Sequence, residues 1–128
     1  MSEITARTDT GKFRQSVTIG HHRLAADESV EAGGDGAGPS PHDFVLAGLG
    51  ACTSMTVKLY ADRKGWPLRT VEVRVTAARE GDVYAIKRSI RLDGDLDEEQ
   101  RARLLEIAGK CPVHKTLTGE IRIDSTLG

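Results

Sequence analysis

A long helix is predicted between Pro41 and Gly65, because both of its ends carry residues that start or stop helices. Ser40 precedes the proline and Asp43 follows three residues after the serine, which is the pattern of a capped amino terminus. A glycine at the other end is a common helix terminator. Residues 44–52 are apolar on nearly every face, and such a helix is stable only when protein surrounds it. The rest of the chain is therefore expected to fold around this segment.

Shorter elements are predicted on both sides of this helix. Alternation of apolar and polar residues predicts strands over residues 4–7, 13–19, 22–25, 68–76, 86–92 and 121–123. Two short helices are predicted, one after Asp97 and one from Pro112. This order favours an α+β fold with an antiparallel sheet rather than βαβ repeats. The chain has 128 residues, about the size of one domain, and a single domain over residues 1–128 is predicted.

Residues 31–40, EAGGDGAGPS, contain almost no side chains that could pack against a core. They predict a mobile or ligand-facing loop. Their glycines follow no apolar strand, so the segment does not have the pattern of a phosphate-binding loop.

The charge pattern argues against nucleic acid or a membrane as a partner. The chain has eighteen Lys and Arg residues and nineteen Asp and Glu residues, which gives a formal charge of -1, and these charges are spread along the sequence. No signal-peptide pattern opens the sequence, and no apolar run reaches the roughly 20 residues that span a bilayer. We therefore expect a cytosolic protein, in which thiols are kept reduced and two cysteines are catalytic, metal-binding or incidental.

Cys52 lies in the apolar half of the long helix beside Gly48 and Gly50. Each glycine costs a helix about 0.8–1 kcal/mol relative to alanine, which suggests that a backbone, a substrate or a partner subunit approaches there. The alternative is that Cys52 is a small buried apolar residue. A reactive thiolate would need a nearby cation, since the helix dipole fades within one turn. Arg14 and Arg23 are candidates, although either could be an ordinary surface charge.

Cys111 precedes a proline, which predicts a position at the amino-terminal cap of a short helix. Backbone N–H groups and the helix dipole favour an anion there, so Cys111 is a competent partner in thiol exchange. His114 follows at a CxxH spacing, and this leaves a metal site as an alternative. Further ligands would have to come from Cys52 or from the remaining histidines, His21, His22 and His42. A structural zinc site needs four clustered ligands, and the sequence offers only one such pair.

Two segments resemble a known family. Residues 38–68, GPSPHDFVLAGLGACTSMTVKLYADRKGWPL, together with residues 110–117, KCPVHKTL, resemble the OsmC/Ohr family of small thiol proteins. The resemblance implies an antiparallel sheet wrapped around a long central helix. It also implies an intertwined homodimer with active sites at the subunit interface, and the reduction of organic hydroperoxides.

The same resemblance implies roles for both cysteines. Cys52 matches the peroxidatic cysteine, which attacks the peroxide, and Cys111 matches the resolving cysteine, which closes a disulfide. A cellular dithiol, either a lipoylated protein or a thioredoxin-type donor, would reduce that disulfide. Neither a flavin nor a metal is implied as a cofactor.

Two further residues are assigned through the resemblance. Arg14 lies nearest the position of the family's activating arginine. A family glutamate that holds this arginine is replaced here by His42, and the neighbouring Asp43 is expected to serve instead. The alternative to a peroxidase is a non-catalytic protein of this fold that binds an apolar ligand in the dimer cleft.

Overall fold

Five strands and three helices follow one another in a computed structural model that describes residues 3–128. The elements are β1 (Ile4–Thr8), β2 (Gln15–Ile19), β3 (His22–Ala26), α1 (Pro41–Lys64), β4 (Leu68–Glu80), β5 (Val83–Gly94), α2 (Glu98–Ala108) and α3 (Pro112–Thr118). The α+β prediction is confirmed, and the strands form two separate antiparallel sheets. The chain divides into two compact units, one ending at Val45 and one running from Leu46 to Gly128. A single domain over residues 1–128 stays a prediction.

The first unit contains a three-stranded antiparallel sheet in the order β1-β2-β3. Ile4 pairs with Ile19 across the first two strands, and Gln15 pairs with Ala26 across the second two. The connection between β1 and β2 includes Gly11, whose φ of 85° is a conformation that favours glycine. These strands match the predicted ones within two residues at each end.

The loop after β3 is held by one buried carboxylate. Asp27 is 2% exposed and accepts hydrogen bonds from the backbone N–H groups of Ala37 at 3.0 Å and Glu28 at 2.8 Å. The bond from Ala37 contributes most to holding the pKa of this carboxyl below its ordinary value, against the opposing effect of burial. The sequence predicted a mobile loop because the loop itself has few side chains. Its anchor is Asp27, which precedes it.

The second unit contains the β4-β5 hairpin and most of the core. Its strands pair in antiparallel register, with Val73 opposite Ile90. Asp97 caps α2 through a capping box with Gln100, as the sequence predicted. The buried core cluster combines side chains of α1, β4 and α2, together with a residue of the β5-α2 loop: Val57, Ala61, Leu68, Leu96, Leu104 and Ala108.

Helix α1 buries one stripe rather than its whole circumference. Leu49, Thr53, Val57 and Ala61 are buried at intervals of four residues, whereas Met55 is 69% exposed. A single chain therefore covers only one side of this apolar helix. An 18-residue window of α1 has a mean hydropathy of 1.3 and meets the length and composition test for a membrane span, a test that core helices of soluble proteins also pass.

The predicted final strand over residues 121–123 is wrong. Residues 120–128 have no secondary structure, and Ile123 is 83% exposed. A strand is stabilised by a hydrogen-bonded neighbour, and within residues 3–128 no strand pairs with this segment. The alternation of Ile121 and Ile123 with charged residues predicts a strand only where such a neighbour exists.

Candidate thiol site

The structure brings the two predicted cysteines together. Cys52 lies on α1 directly before the buried Thr53 and is half-buried, whereas Cys111 lies directly before α3 and is fully buried. Neither is in a disulfide. The Cys52 thiol lies near enough to the Cys111 sulfur to lower the pKa of the Cys111 thiol. Two sulfurs from distant parts of the sequence are therefore neighbours within the second unit.

Cys111 occupies the amino-terminal cap of α3, as the sequence predicted. Its backbone has extended dihedral angles, and Pro112 follows as the first helical residue. The Cys111 sulfur accepts a hydrogen bond from the backbone N–H of His114 at 3.2 Å. It also lies 3.7 Å from the Thr53 hydroxyl, a second donor within reach of the sulfur. The sulfur thus takes the place of the oxygen of an ordinary capping side chain.

Opposing effects act on the pKa of the Cys111 thiol. Burial raises it, because a thiolate is poorly stabilised away from water. Hydrogen bonds from the His114 backbone, the Thr53 hydroxyl and the Cys52 thiol lower it. The hydrogen bonds prevail, so that the pKa lies below the ordinary value for a cysteine. Cys111 is therefore predisposed to ionise where it is buried.

An arginine that the sequence analysis missed lies at the centre of this cluster. Arg88, on β5, is half-buried and donates from Nη1 to the Thr53 hydroxyl at 3.0 Å. Its Nη2 contacts Nδ1 of His114 at 3.1 Å. The signal was present in the sequence, because Ile86, Arg88 and Ile90 share one face of a strand and an arginine in an apolar row is unusual. One guanidinium thus contacts the side chains of Thr53 and His114, two of the residues that donate to Cys111.

The Thr53 hydroxyl has one hydrogen and two acceptors within reach. It lies 2.7 Å from the carbonyl oxygen of Leu49 and 3.7 Å from the Cys111 sulfur. Because Arg88 donates to the hydroxyl oxygen, the hydrogen is directed to one of these two acceptors. A thiolate is a better acceptor than a thiol, so ionisation of Cys111 favours the bond to sulfur.

Arg14 and Asp43 lie in the first unit, and their assigned roles stay predictions. Nε of Arg14 is 3.6 Å from a carboxylate oxygen of Asp9. Asp43 accepts from the backbone N–H of Ser40 at 3.0 Å, while the Asp43 backbone N–H donates to the Ser40 hydroxyl at 3.2 Å. The predicted cap of α1 is confirmed, and it occupies an oxygen of Asp43. Arg23, the other candidate cation, pairs with Thr18 between β2 and β3.

The structure offers no support for a metal at this site. Among residues 3–128, no group of three or more His, Cys, Asp and Glu side chains is arranged to hold a metal ion. Nδ1 of His114 instead faces the guanidinium of Arg88.

The fold and the adjacent sulfurs define an α+β protein with a two-cysteine thiol site. A sequence profile described as OsmC-like protein matches residues 33–126, most of the chain. The chain belongs to the OsmC-like protein family. No curated protein sequence matches it.

Solved structures of this family share the fold at low sequence identity. An OsmC-like protein from Mycoplasma pneumoniae is 21% identical, with a TM-score of 0.79 over 93% of this chain and 88% of that one. An organic hydroperoxide resistance protein OsmC from Legionella pneumophila is 18% identical, with a TM-score of 0.68 over 93% and 90%. The organic hydroperoxide resistance protein OhrB of Bacillus subtilis is 21% identical, with a TM-score of 0.65 over 93% and 91%.

Proposed function

We propose that this protein is a thiol peroxidase that reduces organic hydroperoxides through Cys52 and Cys111, in defence against oxidative stress. The observation that carries the proposal is the proximity of the half-buried Cys52 thiol to the buried, hydrogen-bonded Cys111 sulfur. Membership of the OsmC-like family and structural neighbours named for organic hydroperoxide resistance support a peroxide-related role.

The different exposure of the two cysteines supports different roles for them. Cys52 is partly exposed, so a peroxide can approach it, whereas Cys111 is 0% exposed and its sulfur adjoins that of Cys52. Cys52 is therefore the peroxidatic cysteine and Cys111 the resolving one. The lowered pKa of Cys111 suits this role, because the thiolate is the attacking species in disulfide formation.

An external dithiol supplies the two electrons that reduce the peroxide. The Cys52 thiolate attacks the terminal peroxide oxygen, the O–O bond breaks, and the alkoxide leaves and takes a proton to become an alcohol. Cys52 is then a sulfenic acid. The Cys111 thiolate attacks its sulfur, forming the disulfide and releasing hydroxide, which is protonated to water. An external dithiol, a lipoylated protein or a thioredoxin-type donor, reduces this disulfide and is itself oxidised to a disulfide.

The remaining parts of the proposal concern activation and compartment. We assign Arg14 as the cation that activates Cys52, and Asp43 as the carboxylate that orients Arg14. The cycle needs no flavin or metal, since both electrons come from the dithiol. It requires a reducing compartment, and we place the protein in the cytosol.

A homodimer is part of the same proposal. Small and apolar residues lie on the side of α1 away from the buried stripe: Ala47, Gly48, Ala51, Met55 and Leu59 are exposed. A contiguous exposed apolar patch commonly marks an interaction surface. Among residues 3–128, a Cβ added at Gly48 would meet no atom within 4 Å apart from its chain neighbours and the backbone of its own helix. The close approach that its glycine suggests is therefore attributed to a second copy.

Counting thiols after peroxide treatment tests the proposed function. Reduced wild-type protein is mixed with cumene hydroperoxide, and free thiols are then titrated. We expect two thiols per chain to be lost from wild type and none from Cys52→Ser. Cys111→Ser should lose one thiol and form a sulfenic acid at Cys52, detectable by dimedone labelling and mass spectrometry.

Hydrogen peroxide provides the matched substrate control, with faster reaction expected for the organic peroxide. Survival of both thiols in wild-type protein would overturn the proposal. A rise in the melting temperature of the protein on addition of an apolar ligand would then favour the alternative, a non-catalytic binding protein.

A further inference from the structure

The second unit contains a cavity that neither cysteine lines. Its volume is about 470 Å³, within the range of small-molecule sites. Most of its wall is apolar and comes from β5 and the three helices: Leu49, Tyr84, Ile86, Ile90, Leu105 and Leu117. Its polar lining consists of Arg88, His114 and Thr118, together with the hydroxyl of Tyr84. Arg88 and His114 are also the residues that contact Thr53 and Cys111, so the cavity adjoins the thiol site without opening onto a sulfur.

Arg88 brings a charge to this cavity that no carboxylate balances. In the part of the chain that the structure describes, its guanidinium contacts only the Thr53 hydroxyl and the His114 ring, neither of which is a carboxylate. A guanidinium has five N–H donors, and these two contacts use two of them. A half-buried cation without an anionic partner is a recognition group for a carboxylate, which guanidinium binds with matched geometry.

His114 adds a second donor. Arginine only donates hydrogen bonds, so Nδ1 of His114 must accept the bond from Arg88. The ring proton of neutral His114 is therefore on Nε2, and this N–H remains for a ligand. The Thr118 hydroxyl already donates to the His114 carbonyl oxygen at 2.9 Å. The polar lining thus offers mainly donors, which favours an acceptor with negative charge.

We propose that this cavity binds a small amphiphilic carboxylate, with its apolar chain against the aliphatic wall and its carboxylate on Arg88 and His114. Binding does not depend on the proposed peroxidase activity. A consequence for Cys111 does rest on that function: a bound carboxylate offsets the positive charge of Arg88, which donates to Thr53 beside the Cys111 sulfur. The bound ligand is therefore expected to slow disulfide formation, and disulfide formation to weaken ligand binding.

Calorimetric titration of the reduced protein, residues 1–128, tests the binding step. The probes are decanoate, decanol and decyltrimethylammonium, which share one alkyl chain and differ in head group, each below its micellar concentration. We expect decanoate to bind at least tenfold more tightly than decanol, and the cation to bind most weakly. Arg88→Met should remove the preference for decanoate over decanol.

Arg91→Met is the matched control, because Arg91 is an exposed arginine on the opposite face of β5. It should bind decanoate as wild type does. Arg88→Lys keeps the charge without the forked donor set, and it should retain part of the preference. This second variant keeps the test decisive if Arg88→Met does not fold, as judged by circular dichroism.

Three results would overturn the proposal. Equal binding of decanol and decanoate would show an apolar cavity without carboxylate recognition. Equal loss of decanoate binding in Arg91→Met would show general charge attraction. Absence of binding, with Leu105→Glu converting an oligomer to a monomer, would show that a second copy of the chain covers this face.

The coupling to the thiol has its own readout. In Cys52→Ser, saturating decanoate should slow the reaction of Cys111 with methyl methanethiosulfonate several-fold. An unchanged rate would refute the coupling. Since neither binding nor this rate requires a peroxide, failure of the peroxidase proposal would leave both measurements interpretable.

Discussion

At Cys111, burial and hydrogen bonding act in opposite directions on one sulfur. The side chain is fully buried, yet hydrogen-bond donors surround it and its pKa is lowered from the ordinary value of 9.0. Arg88 donates to the Thr53 hydroxyl and contacts the ring of His114, two residues that also donate to the sulfur. Arg88 is therefore linked to Cys111 through these residues rather than by direct contact.

The lowered pKa predicts a pH dependence of stability. An acid whose pKa is lower in the folded state than in the unfolded state adds stability that grows as pH rises from the folded to the unfolded value. The free energy of unfolding of reduced wild type should therefore rise, relative to Cys111→Ser, as pH increases toward 9. This contribution is lost as pH falls through the folded-state pKa. Urea denaturation of both proteins under reducing conditions, from pH 6 to 9.5, measures the difference. A constant difference would contradict the prediction.

Removing the hydroxyl of Thr53 is expected to lower the free energy of unfolding. Thr53→Val keeps the shape of the side chain but removes the acceptor of Arg88 and the donor to Cys111. Because buried groups lose hydrogen bonds, we expect a loss of about 1–3 kcal/mol in the free energy of unfolding. Thr56→Val, at a half-buried position of the same helix without such contacts, is the control and should change less. Similar values for both would show that the network adds no stability.

Among individual residues, the sequence predicted the cysteines but not their surroundings. The pairing of Cys52 with Cys111 followed from a resemblance, and the capping position of Cys111 followed from the proline after it. The role of Arg88 depends on which side chains a hairpin and two helices bring together. Its place in an apolar row signals burial, but no spacing along the chain identifies Thr53 and His114 as its partners.

Helix α2 illustrates how local signals determine an element. Asp97 accepts from the Gln100 backbone at 2.8 Å, and the Gln100 side chain accepts from the Asp97 backbone at 2.9 Å. Both bonds satisfy groups that the helix itself leaves without partners. These residues were sufficient to predict where the helix begins.

The capping box predicts the effect of one substitution. Asp97→Ala should lower the free energy of unfolding by about 1 kcal/mol, because it removes the side-chain acceptor at the cap. Glu98→Ala, which removes a charge from the same turn but no capping bond, is the control and should cost less. Chemical denaturation of the three proteins measures both effects, and equal losses would assign the effect to charge rather than to capping.

Helix ends were predictable because prolines, glycines and capping residues act within a few positions. The strand over residues 121–123 was not, since strand formation depends on a neighbour that the sequence does not identify. The burial of α1 was overestimated for a related reason. Its composition predicts that protein packs against every side of the helix. Within one chain, only the stripe from Leu49 to Ala61 is buried.

For the whole molecule, the exposed side of α1 leads to a prediction about assembly. Met55 and Leu59 are 69% and 50% exposed on this helix. If a second copy covers them, Met55→Glu places a charge in an apolar interface and should convert a dimer to a monomer. Arg63→Glu, at an exposed position near the end of α1, should leave the dimer intact. Analytical ultracentrifugation distinguishes these states, and a monomeric wild type would refute the homodimer.

Because Cys52 and Cys111 are neighbours, their oxidation to a disulfide would also cross-link two distant parts of the chain. A disulfide between them would close a ring of roughly 60 residues, and restricting the unfolded chain in this way is worth about 4 kcal/mol. Oxidised protein should consequently withstand heat better than reduced protein. Each turnover would then alternate the protein between a tethered and an untethered form, and the reducing dithiol would act against the stability gained by the tether.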